Sequence, residues 1–446
     1  MSAAGADGLG TAGRLPEGIQ LTELDGGLRV VTEAVPSVRS VALGMWVRTG
    51  SRDEHPEQAG VSHFLEHLLF KGTERHSAIE ISELFDGMGA AANAATGKES
   101  TNLHARFLDE HTTEAFDLIA EMLLAPALPA EEIDSEREVV LEEIAMYEDE
   151  PQDRVHDVLS EAVFGDHPLG RRVVGEADVI ASIPVPVIAA YHGGRYVAPA
   201  IAVAAAGHLD HERIVELARE RLEPAVGPAG SVEASNGLPE GSLRFHPKET
   251  EQYHICFGGP GIARGDDRRF ALSVLDAIFG GSGSSRLFVE MREKRGLAYA
   301  VGSYSEQYMD TGAVALYVGT REDNVGEACR VIGRELNRLR DEAATEEELA
   351  RAKEHVKGRM VLGLESTTAR MGRIARAVLF DVPLLSLDEM LARIEAVSLD
   401  DISELAADLY DPDRLSAACV GADEDRFRTA AAQVNERLGA DERVLN

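Results

Sequence analysis

Cysteine is scarce in this chain: three residues in 446, at positions 256, 329 and 419, odd in number and far apart. That excludes a disulfide framework and a cysteine-based zinc motif, and it points to a reducing compartment. Positive charge is also short, with 44 Lys and Arg against 78 Asp and Glu, a formal net charge of −34. Phosphates would be repelled by such a surface, which argues against nucleic acid as a partner. No stretch approaches the roughly 20 apolar residues that a bilayer span requires. The opening residues, Met1 to Gly8, lack a basic and apolar export signal. A cytoplasmic location away from membranes is the resulting expectation. A phosphate loop is missing as well, because Gly97-Lys98 is followed by Glu99 and not by Ser or Thr. The flexible run Gly280 to Ser285 follows an expected helix and reads as a turn.

What is present begins with His63-Phe64-Leu65-Glu66-His67. Residues three and four apart share a helix face, so both imidazoles and the enclosed carboxylate point the same way. Two histidines at this spacing can bind one Zn²⁺, and Glu66 can reach a water beside it, which is what a metal-dependent hydrolase requires. The stretch Ala59 to Lys71 reads as a helix stopped by Gly72, with Phe64, Leu65, Leu68 and Leu69 as its apolar stripe. The bland alternative is a pair of core histidines astride a glutamate. Composition alone yields the pattern in roughly a few per cent of chains, so a third ligand is needed.

The run Glu131 to Glu150, between Pro129 and Pro151, reads as a long acidic helix. Most of its glutamates form a solvated face. Glu136 and Glu143, two turns apart beside Val140 and Ile144, are the exceptions, because a carboxylate turned toward apolar residues needs a partner or a metal.

Together these residues resemble the inverzincin metallopeptidases, the family of pitrilysin, insulin-degrading enzyme and the mitochondrial processing peptidase. In that family the third ligand is a glutamate seven residues after a Glu-Arg pair. Glu136-Arg137 and Glu143 match, with Glu143 lying 143 − 67 = 76 residues beyond the second histidine. The resemblance implies His63, His67 and Glu143 as ligands of one zinc per chain, Glu66 as general base and Glu136 as a supporting carboxylate. Glu142, about 100° around the helix from Glu143, is the nearest competitor. Gly89 to Thr96 resembles the edge strand on which the family lays its substrate backbone, here beside Asn93 and Ala94. Arg292 and Tyr299 match an arginine–tyrosine element that contacts substrate from the second half of the molecule. The implied activity is hydrolysis of unfolded peptides in a chamber. The implied partners are a second copy or a paralogue, and the alternative is a non-catalytic family subunit.

The halves also resemble each other: Val61–Leu69 aligns with Ala271–Phe279 at an offset of 210, with Ser273 and Ala277 in place of the histidines. Strands are expected at 20–24, 28–32, 38–47, 200–206 and 415–420, with helices between. This segregation gives an α+β fold of two homologous domains, each a mainly antiparallel sheet packed on helices, arranged as a clamshell. The expected division is a zinc-bearing domain 1–226, a linker 227–242 and a metal-free domain 243–446.

Overall fold

The structure, a computed structural model, describes residues 15–222, 227, 238, 241–342 and 344–439. Most of the expected linker, 227–242, lies outside the described residues. The chain forms two compact units that are not contiguous in sequence. One comprises Met1–Ile144, Arg172–Glu233 and Val361–Leu387, and the other Ala145–Arg171, Ala234–Met360 and Asp388–Asn446.

The first unit holds strands β1 (Ile19–Glu23), β2 (Arg29–Ala34), β3 (Ser40–Val47), β4 (Ala91–Thr96), β5 (Thr101–Leu108) and β6 (Ile201–Gly207). They make an open sheet in the order β1-β2-β6-β3-β5-β4. Only β2 and β6 run parallel. The expected strands are present to within two residues at each end. Alternation along β3 and β6 explains the layering. Leu43, Met45, Val203 and Ala205 turn to a core shared with helices α1 (Val61–Leu68), α2 (Ala78–Gly87), α3 (Thr112–Leu124) and α4 (Ala130–Asp149). The opposite face carries small residues, Ala42, Ala202, Ala204 and Ala206, which admit the helix Thr367–Leu379 through Met371, Ile374 and Ala375. Gly44 serves the same purpose, since a Cβ there would stand 3.2 Å from the Met371 sulfur.

The second unit repeats the plan. Strands β7 (Leu243–Pro247), β8 (Gln252–Gly261), β9 (Ala298–Gln307), β10 (Gly312–Arg321) and β11 (Ser416–Gly421) follow the order β7-β11-β8-β10-β9. Again one pair, β7–β11, is parallel. This order corresponds to β2-β6-β3-β5-β4, and the helix Arg269–Phe279 follows β8 as α1 follows β3. The far face is covered by α5 (Pro151–Phe164), packed through Val155, Val158 and Leu159 on Cys256 and Ala418. Each unit therefore takes one helix from the other half of the chain. The contiguous division at 1–226 and 243–446 separates the two sheets but does not include this exchange. All three cysteines are free and buried.

Candidate metal centre

Helix α1 begins abruptly. Gly60, its N-cap, has φ +95°, and a Cβ there would come within 2.8 Å of Gly175 Cα, so only glycine fits. Phe64, Leu65 and Leu68 are buried and fix which face looks inward. The helix is shorter than the expected 59–71. It ends at Leu68, and the amides of Phe70 and Lys71 bond to carbonyls three residues back, tightening the chain into a turn before Gly72 at φ +114°. That turn swings Lys71 toward α4.

On α4, Glu131, Glu132, Asp134, Glu138, Glu142 and Asp149 are exposed, as a solvated acidic face should be. Glu136 is buried at 5% exposure, and Glu143 is half-buried. Arg137 sets the rotation of this helix. Its guanidinium lies 5.4 Å from the Phe64 ring centroid of α1 and donates to the carbonyls of Ile180 and Ile183.

The outcome is a convergence of three side chains. His63 Nε2 and His67 Nε2 are 3.3 Å apart, and Glu143 Oε2 lies 3.5 Å from the first and 3.3 Å from the second. Among the described residues, this is the one group of His, Cys, Asp or Glu whose ligand atoms come together in this way, all within 4.8 Å. Glu142, the competitor, faces solvent.

Does this set suit a cation? His67 Nδ1 is 2.8 Å from Glu136 Oε1, so in its neutral form the ring donates there and presents a lone pair at Nε2. Burial, reinforced by the neighbouring His67, pulls His63 down to about 4, which keeps it neutral. The His67 Nε2 lone pair, the neutral His63 ring and the Glu143 carboxylate thus converge, with too few protons to bridge every pair. Tetrahedral zinc with bonds near 2.05 Å would hold its ligand atoms roughly 3.3 Å apart. The observed separations agree, so the residues fit the ion.

Glu66, between the histidines, is held by Thr96 at the end of β4. Burial raises its carboxyl above the ordinary range, opposed by hydrogen bonds from the Thr96 hydroxyl and amide. On β4 itself, Ala94 is buried while Asn93 is exposed and accepts the Ala94 amide at 2.9 Å. β4 is the last strand of its sheet, so one side of its backbone is unpaired by any described strand. In the second unit, Arg292 lies in a π-helical turn, Val289–Glu293, and its guanidinium covers the Tyr299 ring at 4.2 Å. Tyr299 is 77% exposed.

Two contributors escape sequence reasoning. Lys71 Nζ is 2.5 Å from Glu136 Oε2, completing a chain from ammonium to carboxylate to imidazole. Its position four residues after His67 was the available signal. Thr96 carried none, since its tie to Glu66 depends on how β4 meets α1.

Residues 29–177 match the family described as Insulinase (Peptidase family M16), and residues 182–356 match the Peptidase M16 inactive domain. The chain belongs to peptidase family M16. An uncharacterized zinc protease of Streptomyces coelicolor is 41% identical over 413 residues, covering 91% of this chain and 88% of that protein. The uncharacterized zinc protease YmxG of Bacillus subtilis is 40% identical over 388 residues, covering 87% and 94%. A protease from Helicobacter pylori has a similar structure, with TM-score 0.84 at 21% identity over 92% of this M16 chain and 100% of its own. The M16 inactive-domain protein of Pseudomonas fluorescens gives 0.85 at 21%, over 91% and 98%. At that identity the likeness is one of fold, and the two-domain α+β architecture is the M16 one. Among the described residues no helix is long and apolar enough to cross a membrane.

Proposed function

We propose that the protein is a zinc-dependent endopeptidase in which His63, His67 and Glu143 hold one Zn²⁺ per chain. The supporting observation is the convergence of these three ligand atoms at separations suited to tetrahedral zinc. Bound there, zinc would polarise a peptide carbonyl and lower the pKa of water to about 7. Glu66 takes the proton of the attacking water on its carboxylate and delivers it to the leaving amine nitrogen. A carboxyl raised by burial is better matched to that exchange than an ordinary one. Glu136 accepts the His67 Nδ1–H, which keeps Nε2 turned to the ligand set.

The open side of β4 is the edge to which an extended peptide adds as a further strand, beside Asn93 and Ala94. Five of its six residues have side chains no larger than threonine, so a second backbone can approach closely. Arg292 and Tyr299, which match the family's arginine–tyrosine element, contribute further substrate contacts. The substrates on this reading are unfolded peptides or precursor segments taken into a chamber, and the working unit is a dimer with itself or a paralogue in the cytoplasm.

The test is hydrolysis of a quenched fluorogenic peptide, with and without chelator, by the wild type and by Glu66→Gln. Chelator-sensitive turnover by the wild type and none by a variant that still retains zinc is expected. Zinc binding with no turnover in the wild type would instead make the chain a non-catalytic family subunit.

A further inference from the structure

The helix that carries both histidines cannot cap itself. Its N-cap is Gly60, which has no side chain to offer, and the positive φ and the close approach of Gly175 bar any residue that could provide one. An eight-residue helix begun this way leaves first-turn amides without intrahelical acceptors. The carboxylate of Glu54, in the loop before the helix, supplies what is missing. Its Oε2 accepts the Gly60 amide at 2.7 Å, and its Oε1 accepts the Ser62 amide at 2.8 Å. Glu54 is 4% exposed, and its negative charge sits at the positive end of the helix.

A second tie acts on the same residue. Ser62 Oγ is 2.8 Å from the Tyr191 hydroxyl, which is 2.9 Å from Thr49 Oγ1. Ser62 is thus held by its backbone and its side chain, one residue before His63. A bidentate acceptor at one end fixes both the axial position of α1 and its rotation, and that rotation decides whether His63 and His67 aim at Glu143. Turning a helix by one-tenth of a revolution moves an imidazole tip by on the order of several ångströms, more than a metal site tolerates.

We infer that Glu54 is a positioning residue for the metal site, setting the pose of the ligand helix α1 through the Gly60 and Ser62 amides with Tyr191 as its second anchor. This rests on the zinc reading above. The carboxylate bonds to backbone amides one and three residues before His63. It acts through the helix.

Zinc affinity by chelator competition, with the visible spectrum of the Co²⁺-substituted protein, tests this. In Glu54→Gln one amide oxygen replaces two carboxylate oxygens, and the NH₂ group is turned against a backbone N–H. A zinc Kd about tenfold weaker than wild type, with altered Co²⁺ bands, is expected. Glu33→Gln is the control. Glu33 is a buried carboxylate of the same unit, paired with Arg370 and Arg373 on the other face of the sheet. It should lose folding stability and keep the wild-type zinc Kd and spectrum. Tyr191→Phe removes one hydroxyl and keeps the ring, and about a threefold weaker Kd is expected. It stands in should Glu54→Gln fail to fold. Wild-type zinc affinity in the variant that folds overturns the inference, as does equal weakening in Glu33→Gln. A wild-type protein that binds no zinc overturns the metal reading itself, a result distinct from these.

Discussion

Replacing Glu136 by glutamine isolates the support behind His67, one of the three proposed metal ligands. The carboxylate is 5% exposed and engages two partners, the His67 Nδ1–H at 2.8 Å and the Lys71 ammonium at 2.5 Å. Glutamine is nearly isosteric and can still accept from one of them. It loses the charge, and its NH₂ must face either the ammonium or the ring N–H. A charge-assisted hydrogen bond contributes about 1.5–3 kcal/mol against about 1 for a neutral one. The net loss is therefore on the order of 1–2 kcal/mol, a zinc affinity weaker by roughly 5- to 30-fold. Lys71 is farther from the ligands and 31% exposed, so Lys71→Met leaves the carboxylate on His67 and should weaken zinc about threefold. Competition with a chromophoric chelator at fixed pH measures both. The expected order is wild type, Lys71→Met, Glu136→Gln, from tightest to weakest. Unchanged affinity in Glu136→Gln, or a larger effect from Lys71→Met, would refute the chain of support described here.

Other outcomes follow from the same structure. Gly60→Ala should destabilise the fold by about 2–3 kcal/mol in urea unfolding, because left-handed φ and a 2.8 Å contact coincide there; a loss under 0.5 kcal/mol contradicts it. Glu348→Gln breaks a bidentate pair with Arg286, whose side chain is 7% exposed, and should cost about 3 kcal/mol at pH 7. The Arg286 guanidinium holds the Glu348 carboxyl down at about 2, against an ordinary value of 4.5. A depressed folded value means that the stabilisation is complete above pH 4.5 and is lost as pH falls through about 2. The gap between wild type and variant should therefore shrink over that window, and a constant gap would argue against the pair as its origin.

The sequence was most informative where chemistry lies within one turn of helix. His63, Glu66 and His67 could be read directly, because 3.6-residue periodicity alone brings them to one face. On α4, periodicity and polarity singled out Glu136 and Glu143 among the acidic residues, but dividing their roles needed the family resemblance. Strands such as β3 and β6 were legible from their apolar runs. What periodicity cannot express is partnership across long separations. Helix Thr367–Leu379 is amphipathic, yet nothing in its pattern says that it covers the sheet of the first unit through the alanines of β6. The link between Ser62 and Tyr191 spans 129 positions and leaves no local trace. The early end of α1 at Leu68 was equally hidden, because Leu69 and Phe70 continue the apolar stripe while the backbone tightens beneath them.

The central claim is that two imidazoles of α1 and the carboxylate of Glu143 share one zinc. Metal content by atomic emission, on wild type and Glu143→Ala purified side by side and dialysed against the same weak chelator, tests it most directly. One zinc per wild-type chain and almost none in the variant is the expected result. Equal zinc in both, or none in the wild type, would contradict it.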